Sequence, residues 1–236
     1  MGIKLKKLFK KSNTMFCVPI ISRNMEDALK MMEAAAPMAD VLEIRLDFME
    51  RFDLHTIIGA ASKPVLVTYR SQQEGGNGVA DPEIYADYIL TAIKEGADFV
   101  DVESNLPISF QERIFQEKGG SKIIISKHIS DYTPTGRELE KIFEFLASTG
   151  AHIVKIVTRA NIWEDNFRVL NLIPTAHNLG LEIIAFCMGP MGKISRILSH
   201  LMGGYLSFAS LEQGKESAAG QIPIREMKRA IEILSA

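Results

Sequence analysis

Two hydrophobic periods alternate along the chain. Short runs rich in Val, Ile, Leu and Phe recur near residues 15–20, 40–47, 64–70, 97–103, 121–128, 151–158, 181–187 and 204–209. Runs of this length and composition predict strands. Between them, apolar residues fall at helical spacing over 25–36, 82–94, 135–147, 163–177, 191–202 and 223–234, which predicts amphipathic helices. Pro223 opens the last of these, where a missing N–H costs nothing, and Gly96, Gly120, Gly150 and Gly180 stand where helices would end. Segments 49–61 and 106–118 show no clear period.

Strands alternating with helices predict a parallel sheet covered on its faces. Eight such units in 236 residues predict a single-domain α/β fold, the (β/α)8 or TIM barrel. An open doubly wound sheet is the alternative, but the first strand is not followed by a G-x-G-x-x-G turn.

Composition adds limits. The chain is 47% hydrophobic and 24% charged, with a formal net charge of -2. That is ordinary for a globular domain and gives no electrostatic reason to expect a nucleic-acid partner. Cys17 and Cys187 lie far apart, outside any metal-ligand spacing, so two reduced thiols in a cytoplasmic protein are expected. The start, MGIKLKKLFKKSN, is basic, and the apolar run after it, Met15 to Ile21, stops at a charged stretch. That run is far short of a membrane span. Residues 1–14 are expected to form a solvated arm or short cap, and 15–236 the barrel.

In such barrels the active site lies at the C-terminal ends of the strands, so polar residues there are candidates for chemistry. Glu43, Arg45 and Asp47 in VLEIRLDF alternate with apolar residues and share one face. With helices covering the apolar face, that polar face points into the barrel. Arg70 ends the third strand, and Glu74 follows in a loop with Gly75, Gly76 and Gly78. Asp101 and Glu103 share a face of the fourth strand and suit a salt bridge to a cation on a neighbouring strand. Of five histidines, His128 alone falls at a strand's C-terminal end. Arg196, beyond Gly189 and Gly192, suits a carboxylate held by two parallel hydrogen bonds. Ser217 and Gln221, in the loop after the eighth strand, offer neutral donors.

Lys155 lies inside HIVKIVT, an apolar run on both sides of the strand. Lysine is almost never fully buried unless paired or used. Neighbouring strands run about 4.8 Å apart, so Lys155 and His128 can reach a common ligand. A desolvated lysine spends time as the neutral amine, a nucleophile toward a ketone or aldehyde, and His128 could then move a proton. The structural reading is an ion pair with Glu103 or Glu43. Spacing alone leaves the two even.

Taken together the motifs resemble type I 3-dehydroquinate dehydratase. The matching pieces are EIRLD (Glu43 to Asp47), TYRSQQEGG (Thr68 to Gly76), DVE (Asp101 to Glu103), SKH (Ser126 to His128), VKIVT (Val154 to Thr158), MGPMGKISR (Met188 to Arg196) and SAAGQ (Ser217 to Gln221), in order along the chain. The resemblance implies a (β/α)8 barrel without metal or cofactor that removes water from 3-dehydroquinate to give 3-dehydroshikimate, in aromatic amino-acid biosynthesis. It implies that Lys155 forms an imine with the substrate ketone, that His128 is general base and acid, and that Glu74 orients His128. Arg196 would hold the carboxylate, with Glu43, Arg45, Arg70, Ser217 and Gln221 contacting hydroxyls or carboxylate. Family members are commonly homodimers. The chain departs from the family pattern at Lys127, Ile129 and Ser104.

Two other readings share parts of this pattern. A class I aldolase would share Lys155 but would more often bind a phosphate between the last two loops. A non-catalytic barrel that binds a small acid would keep the fold, but an intact set of Lys155, His128, Glu74 and Arg196 argues against it.

Overall fold

The computed structural model describes residues 14–235. Thirteen residues of the expected basic arm therefore lie outside the described residues.

Eight strands appear: β1 (Met15–Ile20), β2 (Val41–Arg45), β3 (Val65–Thr68), β4 (Phe99–Glu103), β5 (Lys122–His128), β6 (Ile153–Arg159), β7 (Glu182–Met188) and β8 (Leu206–Phe208). All pair in parallel with their sequence neighbours from β1 to β7, and β1 also pairs with β8. The last seam, between β7 and β8, is joined by the Tyr205 N–H donating to the Ile183 carbonyl at 2.7 Å. The result is the expected (β/α)8 barrel.

The helices are α1 (Met25–Ala35), α2 (Leu54–Gly59), α3 (Pro82–Lys94), α4 (Ile108–Glu117), α5 (Gly136–Ser148), α6 (Trp163–Leu170), α7 (Leu172–Asn178), α8 (Lys193–Leu201) and α9 (Ile224–Ser235). The unassigned segments hold α2 and α4. α2 spans under two turns, and α4 fully buries only Ile114, so neither carries a strong apolar stripe. The helix expected over 163–177 is two helices. Pro174 cannot donate to the Leu170 carbonyl and its ring crowds that group, so the chain turns at Asn171. After α4 the left-handed glycine is Gly119 (φ 52°), one residue before the one expected.

Alternation along each strand divides the core in two. Outward residues such as Val18, Ile44, Val100, Ile125 and Ile183 pack against the helices. Inward residues Cys17, Val41, Leu66, Phe99, Ile124, Ile153, Ile184 and Leu206 fill the barrel. These apolar layers occupy the N-terminal and middle part of the strands. One step on, the inward positions become polar: Glu43, Thr68, Asp101, Ser126 and Lys155, all buried.

The outer layer carries much of the stability. On α5, Leu139, Phe143 and Leu146 are buried at spacings of four and three residues, and Phe143 is 2% exposed. Phe143→Ala should cost about 3–5 kcal/mol, read as a lower urea midpoint with unchanged slope. A loss under about 1 kcal/mol would show that α5 is not anchored through this ring.

Candidate active site

The polar layer surrounds a cavity at the C-terminal end of the barrel. Glu43, Arg45, Thr68, Arg70, His128 and Lys155 line one part of its wall. Phe186, Met188 and Phe208 form an apolar part, and Arg196, Ser217 and Gln221 reach in from the last two loops. Of the candidate residues, Asp47, Glu74, Asp101 and Glu103 do not line the cavity. Glu74 lies behind His128.

Strand register places the central pair. Ser126 pairs with Lys155 and His128 with Val157, so Lys155 sits one inward step deeper than His128. Lys155 is 3% exposed. Its Nζ donates to Asp101 Oδ2 at 2.7 Å and lies 4.5 Å from the centroid of the Phe208 ring. The carboxylate partner is thus Asp101, not Glu103 or Glu43. By register it is Glu103 that shares the Ser126 row with Lys155, and Asp101 stands one inward step before it on β4, opposite Ile124 of β5.

Asp101 is itself held from its other side. Its Oδ1 accepts from Arg70 Nη2 at 2.7 Å and from the Ser126 hydroxyl at 2.6 Å. Burial would raise the Asp101 carboxyl, but Arg70 and then Lys155 overcome it and hold it well below the usual carboxylate range. Arg70 also donates through Nη1 to Glu103 Oε1 at 3.0 Å and Glu74 Oε2 at 3.2 Å. Glu103 is completed by the Ser71 backbone N–H at 2.8 Å and the Ser71 hydroxyl at 2.7 Å. Arg70 was expected to contact a ligand. It faces the cavity, yet these donors are committed to three carboxylates of the protein.

Glu74 lies at the end of a short turn, Gln72–Glu74, that folds over the end of β5. Glu74 Oε2 accepts from the His128 backbone N–H at 3.0 Å and lies 3.1 Å from His128 Nδ1. With three donors converging on it, this oxygen is an acceptor, so Nδ1 carries the proton and Nε2 keeps its lone pair. Burial, then the charges of Arg70 and Lys155, push the imidazole well below its ordinary pKa of 6.5. The close fold of this loop explains its glycine. A Cβ on Gly76 would lie 2.2 Å from the Arg70 carbonyl.

Arg45 and Asp47 were expected on one strand face. Arg45 ends β2, and Asp47 lies in the turn after it. Arg45 donates through Nε and Nη2 to the two oxygens of Asp47, both at 2.8 Å. Asp47 also accepts from the Asn77 backbone N–H at 3.1 Å, which ties down the loop that carries Glu74. Glu43 accepts from the Thr68 hydroxyl at 2.9 Å. Ser217 and Gln221 bond each other: the Gln221 amide donates to the Ser217 hydroxyl and accepts from its backbone N–H, each at 2.8 Å.

Arg196, on α8, is 2% exposed. Its guanidinium stacks 4.4 Å from the Phe186 ring centroid, and Nη2 makes one long bond, 3.4 Å, to the Ala219 carbonyl. Nε and Nη1 have no partner among the described residues. Burial pushes this group down to about 10. A buried, unpaired cation on a cavity wall is costly without an anion.

Strand-end reasoning missed the apolar wall, Phe186, Met188 and Phe208, and the inward hydroxyls Thr68 and Ser126. Their alternation with outward residues was the available signal. Among the described residues, no cluster of His, Cys, Asp and Glu could hold a metal ion, and no helix is long and apolar enough to cross a membrane.

Comparison with known proteins locates this arrangement. Residues 16–236 match the family model described as type I 3-dehydroquinase. The chain is 34% identical over 225 residues to a 3-dehydroquinate dehydratase of Methanococcus maripaludis, covering 93% of this chain and 100% of that one. It is also 34% identical over 223 residues to a chloroplastic bifunctional 3-dehydroquinate dehydratase/shikimate dehydrogenase of Arabidopsis thaliana. There it covers 92% of this chain but spans only 36% of the longer protein. A crystal structure of a type I 3-dehydroquinate dehydratase from Clostridium difficile, with covalently modified comenic acid, superposes with a TM-score of 0.86 at 25% identity. That match covers 96% of this chain and 94% of the other.

Two outcomes follow from the geometry alone. Arg196→Met should stabilise the ligand-free protein by about 1–3 kcal/mol, seen as a higher Tm, because it removes unpaired buried donors. A lower Tm would mean the guanidinium is satisfied in solution. His128 should remain neutral as pH falls through 6.5, with its proton on Nδ1, in a long-range proton–nitrogen NMR titration. Titration at or above that pH would refute the proposed surroundings of the ring.

Proposed function

The chain belongs to the type I 3-dehydroquinase family, a family of hydro-lyases, and from that premise we propose that it removes water from 3-dehydroquinate through an imine on Lys155. The product is 3-dehydroshikimate, in the biosynthetic route to aromatic amino acids, and the enzyme works in the cytoplasm as a homodimer. The observation that carries the mechanism is a buried amine, 2.7 Å from a buried carboxylate, on the same cavity wall as a neutral imidazole and an unpaired arginine.

The substrate carboxylate pairs with Arg196. This brings the ketone carbon over Lys155. Nζ releases its ammonium proton and adds to that carbon, and loss of water with return of that proton gives a protonated imine. Asp101 then has a catalytic consequence, because a carboxylate beside the iminium stabilises the cation as it forms. The imine draws electrons from the adjacent carbon, and His128 Nε2 takes the proton from it. The resulting enamine expels the β-hydroxyl, which leaves as water with the proton from His128. Hydrolysis of the conjugated imine frees the product and restores Lys155. One water is lost overall.

Glu74 keeps the proton of the resting imidazole on Nδ1, so that Nε2 faces the substrate as a base. Glu43, Arg45, Ser217 and Gln221 contact hydroxyls, and Arg70 acts mainly by holding Asp101 and Glu74 in place. The covalently modified ligand named for the Clostridium difficile structure is consistent with a reactive group in such a barrel. Class I aldolase chemistry and a non-catalytic barrel give way to this reading, because the family match spans residues 16–236.

The decisive experiment is reduction with sodium borohydride in the presence of 3-dehydroquinate, followed by digestion and mass spectrometry. The adduct should fall on Lys155. Lys155→Ala should give no adduct and no turnover, with a circular dichroism spectrum like that of the parent. An adduct on another lysine, or turnover by Lys155→Ala, would refute the assignment.

A further inference from the structure

The carboxylate of Glu74 has a second cation that the mechanism above does not use. Lys127 lies between Ser126 and His128 on β5, so its side chain starts on the outer face while theirs face the barrel. Even so its Nζ reaches Glu74 Oε1 at 3.2 Å, because the Gln72–Glu74 turn folds over the end of the strand. The two oxygens of Glu74 are therefore shared out. Oε2 takes Arg70 Nη1 and the backbone N–H and ring Nδ1 of His128. Oε1 takes Lys127 alone among the described residues. The Glu74 side chain is 1% exposed, and that of Lys127 is 33% exposed.

Charge balance gives this contact its weight. Arg70 is shared among Glu74, Asp101 and Glu103. Lys155 adds one positive charge, on Asp101, and Lys127 adds one, on Glu74. Three carboxylates thus face three cations, with His128 neutral in their midst. The nearby Arg45 is matched by its own Asp47. Burial already pushes the Glu74 and Glu103 carboxyls up, against the opposing pull of Arg70. Without Lys127 the cluster would hold one uncompensated negative charge in a buried place. The least costly relief is uptake of a proton, either on Glu74 or on His128. A protonated Glu74 no longer holds the Nδ1 tautomer, and a protonated His128 is no base.

We propose that Lys127 is a positioning residue that keeps Glu74 ionised, and so keeps His128 competent as a base at neutral and mildly acidic pH. This inference rests on the dehydration proposed above, and its test separates the two. Lys127→Met keeps the length of the side chain and removes the charge, and Lys127→Arg keeps the charge. In Lys127→Met, the acid limb of kcat should move up by about one pH unit. At pH values below both midpoints kcat should fall about tenfold, while near pH 9 it should be within about twofold of the parent, with KM little changed. Lys127→Arg should restore the parent profile.

A binding-free readout accompanies it. In the unliganded protein, the NMR titration of His128 or of the Glu74 carboxyl should shift to higher pH in Lys127→Met and return in Lys127→Arg. Coincident titrations in parent and Lys127→Met would overturn the proposal, as would a loss of kcat equal at every pH. Absence of turnover in the parent would instead refute the dehydration, and the NMR comparison would still decide the role of Lys127.

Discussion

The structure at the mouth of the barrel depends on one guanidinium. Arg70, 4% exposed, is held among Asp101, Glu103 and Glu74. Each of these carboxylates holds something else on another side. Asp101 holds Lys155, Glu103 holds the start of the glycine loop through Ser71, and Glu74 holds His128. The planar fork of arginine suits this branching, and the compact ammonium of a lysine would not. Loss of Arg70 would leave three buried carboxylates short of a cation. Such losses are large because an unpaired buried charge keeps its full desolvation cost. The amine and the imidazole therefore owe their positions to a residue that, in the free protein, spends its donors on the protein.

The strands keep these costly groups apart from the part of the barrel that supports them. Along β6 the inward residues are Ile153, then Lys155, then Val157, and the first packs in the apolar filling with Leu66, Ile124 and Ile184. Polar groups enter only above that filling, where loops supply their partners. The sheet can afford a buried lysine because the apolar layer below it and the helix layer around it do not take part in the chemistry. The network above is nearly fully paired, so its geometry is held before a ligand arrives.

Much of this was legible in the sequence for physical reasons that can be named. Each strand is an apolar run near its observed place, because both faces of a parallel sheet are covered. The end-of-strand rule picked out Glu43, His128, Lys155 and Arg196, all of which line one cavity. Spacing did not show which carboxylate meets Lys155. Register itself sets Glu103 in the row of Lys155 and Asp101 one inward step before it, and no local pattern encodes the contact with Asp101. Likewise no local pattern brings Glu74 against residues 127 and 128, over fifty positions away, and only the family resemblance implied its contact with His128. That contact exists because a turn folds over a strand end, and Gly76 permits it. Pro174 marks the break between α6 and α7, but the apolar period continues on either side of it, so periodicity alone reads one helix.

Once the paired groups are set aside, two charges on the cavity wall have no ionic partner among the described residues. Glu43 bonds only the Thr68 hydroxyl, and Arg196 is left with unpaired donors. They stand on β2 and after β7, three strands apart round the barrel. An anion alone would satisfy the arginine and leave Glu43 as it was. A ligand with a carboxylate at one end and hydroxyl donors at the other satisfies both, and can do so in only one direction. The two charges thus orient such a ligand as well as attract it. Orientation is what the proposed imine mechanism would require, because only one carbon of the polyhydroxylated ring is a ketone, and that carbon would have to arrive over Lys155. In the proposed reaction, the carboxylate that relieves the cost of burying Arg196 without a partner would also set the register of the substrate over Lys155.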